Sequence, residues 1–404
     1  MSDRYRRRLR IAYIYDALYP YLMGGAERRF LELAQRLSDR HEVHYITWKF
    51  WEGPSDTTQD GFALHGVGVP QRMYGADGKR TVHEAVSFAA RLMPAVRGGR
   101  YDVIDCAATP YVPLYACSLA TRFTKTRVVA TWHEFWGDHW EEYLGHRGRV
   151  ARVARWTESG AVRLGDRQVA VSPFTADRLA DAGLPEDRIR VVGNGLPLEA
   201  FANARSSGVT SDVVFVGRLI EDKRVDLLID AVDRLRAEFP TLRCLLIGDG
   251  PERRQLEAQV AKLNLGQQVW FLGHVSEAEK LSLLKASQIL VLPSVREGFG
   301  IAAVEGQAAG LVPIVIRSPF SAAPGLIRDG VDGLVCDPSP DALAGALRSL
   351  LGDQFRMDLM RAAATQSAQR WDWDRVSLEM EQVYLEVAQP EESAEARLRR
   401  LSWR

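Results

Sequence analysis

"DVVFVGRLIEDKRVDLLIDAVDRLRAEF", residues Asp212–Phe239, decides the fold. It opens with a short run of valine and phenylalanine, the composition of a strand buried on both faces. From Val225 onward apolar residues recur three and four apart, the period of a helix with one buried stripe. Between them lies a polar turn carrying Arg218 and Lys223. A strand that leads through a loop into a helix is half of a βαβ unit, and such units build parallel sheets covered on both faces.

The alternation continues outward in both directions. Towards the C-terminus, "LRCLLIGDGP", "VWFLGHV", "QILVLPS" and "VPIVI" read as strands, with "PERRQLEAQVAKLN" and "EKLSLLKAS" as helices among them. Towards the N-terminus, "LRIAYIY" is a strand, "AERRFLELAQRL" a helix, and "HEVHYIT", "YDVIDC", "RVVAT" and "RQVAVS" further strands. The polar, small-residue stretch "ANARSSGVTSD" (Ala202–Asp212) has linker composition. The expected architecture is therefore α/β, with two Rossmann-like doubly wound parallel-sheet domains. The first covers residues 1–203 and the second 212–370. Residues 371–404 supply a last amphipathic helix, "WDWDRVSLEMEQVYLEVA", and a charged tail.

Bulk composition agrees. A chain of 404 residues has room for two cores, and 46% hydrophobic with 26% charged residues is an ordinary globular mixture. Lys plus Arg and Asp plus Glu are 52 each, which argues against a nucleic-acid partner. Cys106, Cys117, Cys244 and Cys336 lie far apart, as reduced cysteines of a cytoplasmic protein would. No run reaches the ~18 apolar residues of a membrane span. The basic ends, "RYRRRLR" and "RLRRLSWR", read as solvated ends or as contacts to an anionic membrane face.

Ligands of parallel α/β sheets bind beyond the carboxyl ends of the strands. Three such loops stand out. Arg218 and Lys223 suit a diphosphate, one as a forked guanidinium and one as a point charge. "LIGDGPE" has Arg253 where a dinucleotide fingerprint needs a third glycine, so it reads as a tight turn. "SVREGFGIAAVEGQAAG" (Ser294–Gly310) places a glycine-rich loop before a helix that stops at Gly310. Its glycines allow close backbone approach, and its helix start favours a phosphate. Glu297 and Glu305 are carboxylates that can accept two hydrogen bonds from a vicinal diol, as sugars and ribose present.

Taken together, Arg218, Lys223, Glu297-Gly-Phe-Gly and Glu305 resemble the retaining nucleotide-sugar glycosyltransferases of family four, which have the GT-B fold of two lobes facing across a cleft. "GGAERRFLELAQRL", "VAVSPFTADRLADAGLPEDRIRVVGNGLPLEAF" and "WDWDRVSLEMEQVYLEV" extend the resemblance over nearly the whole chain, the last as a helix returning to the first lobe. The resemblance implies that Arg218 and Lys223 neutralise the donor diphosphate, that Glu305 binds ribose and that Glu297 binds the transferred sugar. It assigns Phe299, Gly300 and Ile301 backbone contacts to sugar and phosphate, Gly24 and Gly25 an approach to the phosphates, and Val275 the base. His133 matches a histidine beside the reacting sugar, although a satisfied core histidine is the alternative. The chain has Lys223-Arg224 where lysine-glycine is usual, two residues (Leu311 and Val312) between Gly310 and Pro313 where one is frequent, and Gly325 where glutamate is common.

The implied reaction moves a hexose-type sugar from a UDP- or GDP-sugar to a hydroxyl of a saccharide, a glycolipid or another glycosylated acceptor. It implies no cofactor, and with no Asp-x-Asp near the donor motifs no metal is expected. Trp132 and Trp136, near His133, read either as an acceptor-binding platform or as core. A nucleotide-sugar epimerase or an inactive nucleotide-sugar-binding scaffold are the competing readings.

Overall fold

A computed structural model of the chain describes residues 7–73, 80–141 and 148–389. It divides into two compact units. The first comprises residues up to Val171, Thr175–Val192 and those from Val376 on; the second comprises Ser172–Phe174 and Gly193–Arg375.

In the first unit β1 (Arg10–Ile14), β2 (Glu42–Thr47), β3 (Asp56–Gln59), β4 (Phe62–Gly66), β5 (Val103–Ala107), β6 (Arg127–Trp132), β7 (Arg167–Ala170) and β8 (Ile189–Val191) form one sheet. Its order is β3-β4-β2-β1-β5-β6-β7-β8, and only the β3–β4 pair is antiparallel. The helices are α1 (Gly25–Ser38), α2 (Val82–Gly99), α3 (Tyr111–Thr121), α4 (Gly148–Ala161) and α5 (Pro173–Asp181). β1 and β5 carry near-continuous buried residues, as strands covered on both faces must.

The second unit contains α6 (Leu198–Asn203), β9 (Ser211–Val216), α7 (Val225–Leu235), β10 (Cys244–Ile247), α8 (Arg253–Lys262), β11 (Val269–Gly273), α9 (Glu277–Lys285) and β12 (Ser287–Leu292). It continues with β13 (Arg296–Glu297), α10 (Ile301–Ala309), β14 (Val312–Ile316), β15 (Phe320–Ser321), α11 (Ala323–Leu326), β16 (Leu334–Cys336), α12 (Pro340–Leu351) and α13 (Gln354–Ala368). The main sheet is all parallel in the order β11-β10-β9-β12-β14-β16. Counted along the chain that is third, second, first, fourth, fifth, sixth, a doubly wound order whose direction reverses between β9 and β12. Val213, Phe215, Leu228, Val232, Leu246 and Val291 are buried in its core.

The division between units falls at Val192/Gly193 and not near residue 203. The polar stretch read as a linker is held by the second unit, where the Ser207 amide donates to the Ser282 carbonyl (3.0 Å). The last helix, α14 (Trp373–Ala388), passes from one unit into the other. Within the first unit its Tyr384 hydroxyl donates to Asp105 (2.6 Å) and lies 3.2 Å from the Tyr13 hydroxyl. His41 lies 2.8 Å from Glu381 of the same helix, and Arg40 3.0 Å from it. Burial pushes the Asp105 carboxyl up to about 6. The basic C-terminal tail lies outside the described residues, as do Arg4, Tyr5 and Arg6. Arg7 and Arg10 are paired with Asp102 and Glu42.

Candidate functional site

Reversal of strand order between β9 and β12 leaves their following loops side by side at the carboxyl edge of the sheet. These are the loops that carry the cations and Glu297. Lys223 closes a short 3₁₀ turn after β9, and its Nζ donates to Glu297 Oε1 at 2.5 Å. Both side chains are largely buried. The two loops are also tied through backbone, because the Val295 amide donates to the Asp222 carbonyl at 2.9 Å. Glu297 itself pairs with Ser321 in the β13–β15 ribbon, and its carbonyl accepts from the Ala322 amide at 2.8 Å. So Glu297 is fixed by backbone on one side and by Lys223 at its carboxylate.

Arg218 is exposed on the loop after β9. The reason this loop can hold its course lies in "LIGDGPE". A Cβ on Gly248 would meet the Gly217 carbonyl oxygen at 1.9 Å, and one on Gly250 would meet the Leu219 oxygen at 2.2 Å. The turn after β10 therefore lies directly against the backbone beside Arg218. The Leu219 amide donates to the Asp249 carbonyl (2.9 Å), and the Glu252 amide to the Leu219 carbonyl (3.0 Å). These glycines are structural, as the missing third glycine implied, and they brace the cationic loop.

Gly300 caps α10 in the left-handed region (φ 99°), which a side chain adopts only with strain. A Cβ there would also crowd Ala323 at 3.0 Å. The helix ends at Gly310 (φ 82°), the stop the sequence indicated. Phe299 is buried edge-on against Trp371 (5.2 Å between centroids), and the Gly298 carbonyl accepts from Ser172 Oγ at 2.8 Å. Ile301 opens the helix, so the amides at its start lack partners within it, and the helix dipole favours an anion there.

Glu305 is on α10, 6% exposed. Its Oε1 accepts from Lys280 Nζ at 2.7 Å, and Lys280 also reaches Glu277 at 3.1 Å. Burial opposes the Lys280 charge, yet the carboxylates of Glu305 and Glu277 raise its pKa above the ordinary value. Sequence reasoning missed Lys280. It sits in α9, far from any loop motif, and only the packing of α9 against α10 brings it to Glu305. Val275 follows β11, two residues past the strand end on the same carboxyl edge.

In the first unit Gly24 precedes α1 in extended backbone and Gly25 opens the helix with nothing within 4 Å of an added Cβ. Glu27 folds back over Gly24, where an added Cβ would meet its Oε2 at 2.3 Å. Burial raises the Glu27 pKa. His133 follows β6 directly. Its Nε2 is buried with no hydrogen-bond partner among the described residues, and burial, then the nearby Arg29, push its pKa down to about 3. The imidazole is thus neutral at any physiological pH.

Trp132 is a correction. It is fully buried in β6, and its indole N–H donates to Gln168 (2.6 Å), so it belongs to the core and not to a platform. β6 is buried on both faces from Val128 to Trp132, so a side chain on either side of it enters the core. Trp136 is different: half-buried, it stacks on Trp140 at 4.8 Å. Both are held by Glu158 of α4, which sequence reasoning passed over. Its carboxylate accepts from Tyr111 Oη (2.5 Å), the Trp136 amide (2.8 Å), the Gly137 amide (2.7 Å) and Trp140 Nε1 (3.1 Å).

A second acidic group lies beyond β1. Asp16 is buried against Arg80 (2.5 Å), and Glu84 accepts from Trp48 Nε1 (2.6 Å). Burial, then Asp16, push the Glu84 carboxyl up to about 7. The folded pKa exceeds the unfolded one, so its stabilising contribution is complete below about pH 4.5 and is lost as pH rises towards 7. Glu84→Gln keeps the acceptor for Trp48 and removes this titration. Its melting temperature relative to the parent should therefore rise between about pH 5 and about pH 8; a constant difference across that range would contradict the assignment.

These features can be set beside known proteins. Residues 23–200 match the family model described as "Glycosyltransferase Family 4", and residues 200–371 the one described as "Glycosyl transferases group 1". The chain is 32% identical over 380 residues to phosphatidyl-myo-inositol mannosyltransferase of Mycobacterium tuberculosis, covering 90% of this chain and 94% of that protein. This chain is a family-four glycosyltransferase by descent. It is also 32% identical over 258 residues to glycogen synthase of Mycobacterium tuberculosis, a match spanning 62% of this chain and 61% of that protein. Among solved structures, Anabaena Alr3699/HepE in complex with UDP and glucose superposes with a TM-score of 0.72 at 20% identity, over 93% of this chain and 99% of that one. The family-four chain accordingly has the GT-B fold, with two Rossmann-like units.

Proposed function

We propose that this chain is a retaining glycosyltransferase that moves a hexose from a nucleoside-diphosphate sugar, a UDP-sugar above a GDP-sugar, to a hydroxyl of a saccharide or glycosylated acceptor, without a metal ion. The observation that carries this reading is the Lys223–Glu297 pair at the reversal point of the second sheet, beside exposed Arg218 and the start of α10. A departing nucleoside diphosphate gains negative charge as the glycosidic bond lengthens. Lys223, Arg218 and the helix-start amides are preorganised to receive that charge, and stabilisation of this kind does most to lower such a barrier. Glu297 accepts hydroxyls of the transferred sugar, and Lys280 orients Glu305 for the ribose diol. Retention on one face follows if the departing phosphate oxygen takes the acceptor proton, and no protein base is then needed. His133, neutral and with a buried Nε2 that has no partner among the described residues, is the first unit's candidate contact to a sugar hydroxyl. Relatives named for glycogen synthesis and phosphatidyl-myo-inositol mannosyl transfer, and a neighbour crystallised with UDP and glucose, support a nucleotide-sugar substrate.

Incubation with a panel of UDP- and GDP-sugars tests it. Slow acceptor-independent nucleotide release from one donor, undiminished by EDTA, is expected, with the donor's anomeric configuration kept in the product. Interconversion of the sugar without release would indicate an epimerase, and inert binding a scaffold. Activity abolished by EDTA and restored by manganese would overturn the metal-free mechanism.

Lys280→Met should weaken UDP binding about tenfold, because a charge-assisted hydrogen bond orienting Glu305 is removed. Calorimetric titration with UDP reads this directly. Unchanged affinity would remove Lys280 and Glu305 from the ribose site.

A further inference from the structure

One face of the first unit carries a surface that holds none of the residues assigned above to the transfer reaction. α2 packs against α3, and α3 against α4. These helices contain two acidic residues between them, Glu84 and Glu158, and both are buried. Their exposed charges are all positive: Arg91 and Arg97 on α2, and Arg149, Arg152 and Arg155 on α4. The turn after α3 adds exposed Arg122 and Lys125. The neighbouring acids Asp102 and Asp166 are taken up by Arg7 and Arg127.

Large apolar side chains stand among these cations. Trp156 is 77% exposed, Val153 62% and Phe123 93%, with Leu119, Val150 and Val86 also exposed. Along α4, Arg149, Arg152, Val153 and Trp156 are spaced by three and four residues and share one face, while Ala151, Glu158 and Ala161 on the other face are buried. α4 is thus amphipathic twice over. Its inner stripe packs on the unit, and its outer stripe mixes arginine with valine and tryptophan. A groove of about 890 Å³ between α2 and α3 continues this surface, with apolar walls from Val86, Met93 and Leu119 and with Arg122 and Arg163 along it.

We propose that the α2–α3–α4 face docks on an anionic lipid bilayer, with α4 lying in the interface. A bilayer surface matches both halves of this composition. Arginines meet lipid phosphates, tryptophan and valine enter the headgroup–acyl boundary, and no acid on the three helices' exposed faces opposes the negative surface potential. Nucleic acid would leave the aliphatic and aromatic side chains without a role. Among the described residues no helix is long and apolar enough to cross a membrane, so the contact is one of lying on the surface. The docking helix is joined to the aromatic loop, because Glu158 on its inner face holds Trp136, Gly137 and Trp140.

Co-sedimentation with phosphatidylcholine vesicles, with and without phosphatidylglycerol, tests the proposal at low ionic strength. The parent chain should sediment with the anionic vesicles, stay in solution with the neutral ones, and be released by salt. Arg149→Glu with Arg152→Glu should weaken partition about thirtyfold or more, at roughly one tenfold step per 1.4 kcal/mol and about 1 kcal/mol per basic residue. Trp156→Ser should weaken it while leaving the salt response in place. All three side chains are exposed, and unchanged melting temperatures identify the variants as folded. Equal sedimentation with both lipids, or binding retained by the double arginine variant, would overturn the proposal; the latter would assign binding to the chain ends. Concentration-dependent dimerisation abolished by Trp156→Ser would assign the face to a second copy of this chain and would overturn it equally.

Discussion

Lys223→Ala should reduce turnover by about 10²–10³, the cost of deleting one preorganised charge-stabilising group. The fold should survive, because Lys223 lies in a loop beyond the sheet edge and no core side chain rests on its ammonium group. Two effects combine. The ammonium that would meet the leaving phosphate is gone, and Glu297 loses the donor that fixes its carboxylate at 2.5 Å. Glu297 would remain placed by its backbone pairing with Ser321, so the sugar-binding side should suffer less than the phosphate side. The expected signature is a large fall in kcat with a smaller change in donor KM. Arg218→Ala should follow the same pattern less steeply, as its guanidinium is exposed and better screened. A folded Lys223→Ala enzyme working at near the parental rate would refute the charge-stabilising role.

Glu158→Ala should destabilise the first unit by about 3–4 kcal/mol. Four donors converge on this one carboxylate, from Tyr111, the Trp136 and Gly137 amides and Trp140. Stranding a buried donor costs about 1–3 kcal/mol. Water can reach the half-buried loop, so the total falls well below four times that figure. Burial raises the Glu158 pKa and opposes its charge, while the four hydrogen bonds favour it. Glu158→Gln keeps a single acceptor oxygen, loses some of these bonds, and should fall between parent and alanine variant. Thermal melting gives the size, and near-ultraviolet circular dichroism of the Trp136–Trp140 stack reports the loop. Parental melting in Glu158→Ala would show that water replaces the carboxylate without loss.

The second unit is the more legible half. Its strands and helices follow one another with clean periodicity, and its candidate ligand-binding side chains sit on loops, immediately after strands, where a linear reading looks for them. Arg218, Lys223, Glu297 and Gly300 stand out in that way. Lys280 does not, since it lies mid-helix with no loop signal and matters only through the packing of α9 on α10. Glu158 escapes for the same reason: an acid in a helix reads as a solvated face until tertiary structure turns it inward. Trp132 and Trp136 are four residues apart and look alike in sequence. One lies in a strand covered on both faces and is buried, and the loop after the strand leaves the other half-buried. Composition misplaces the unit boundary because the polar character of residues 202–212 describes solvent exposure, while allegiance is set by contacts such as Ser207 with Ser282.

Periodicity and strand-end chemistry by themselves determined two doubly wound parallel sheets and the loops that carry the cations and Glu297, because those properties are local and repeat every two or 3.6 residues. Tertiary structure alone decided which acids meet which bases. It paired Lys223 with Glu297 and Lys280 with Glu305, turned Glu158 towards the aromatic loop, and left the acid-free face of α2, α3 and α4 to solvent. The physical reason is that a charge pair or an exposed face depends on distances between segments far apart in the chain, which no local pattern encodes.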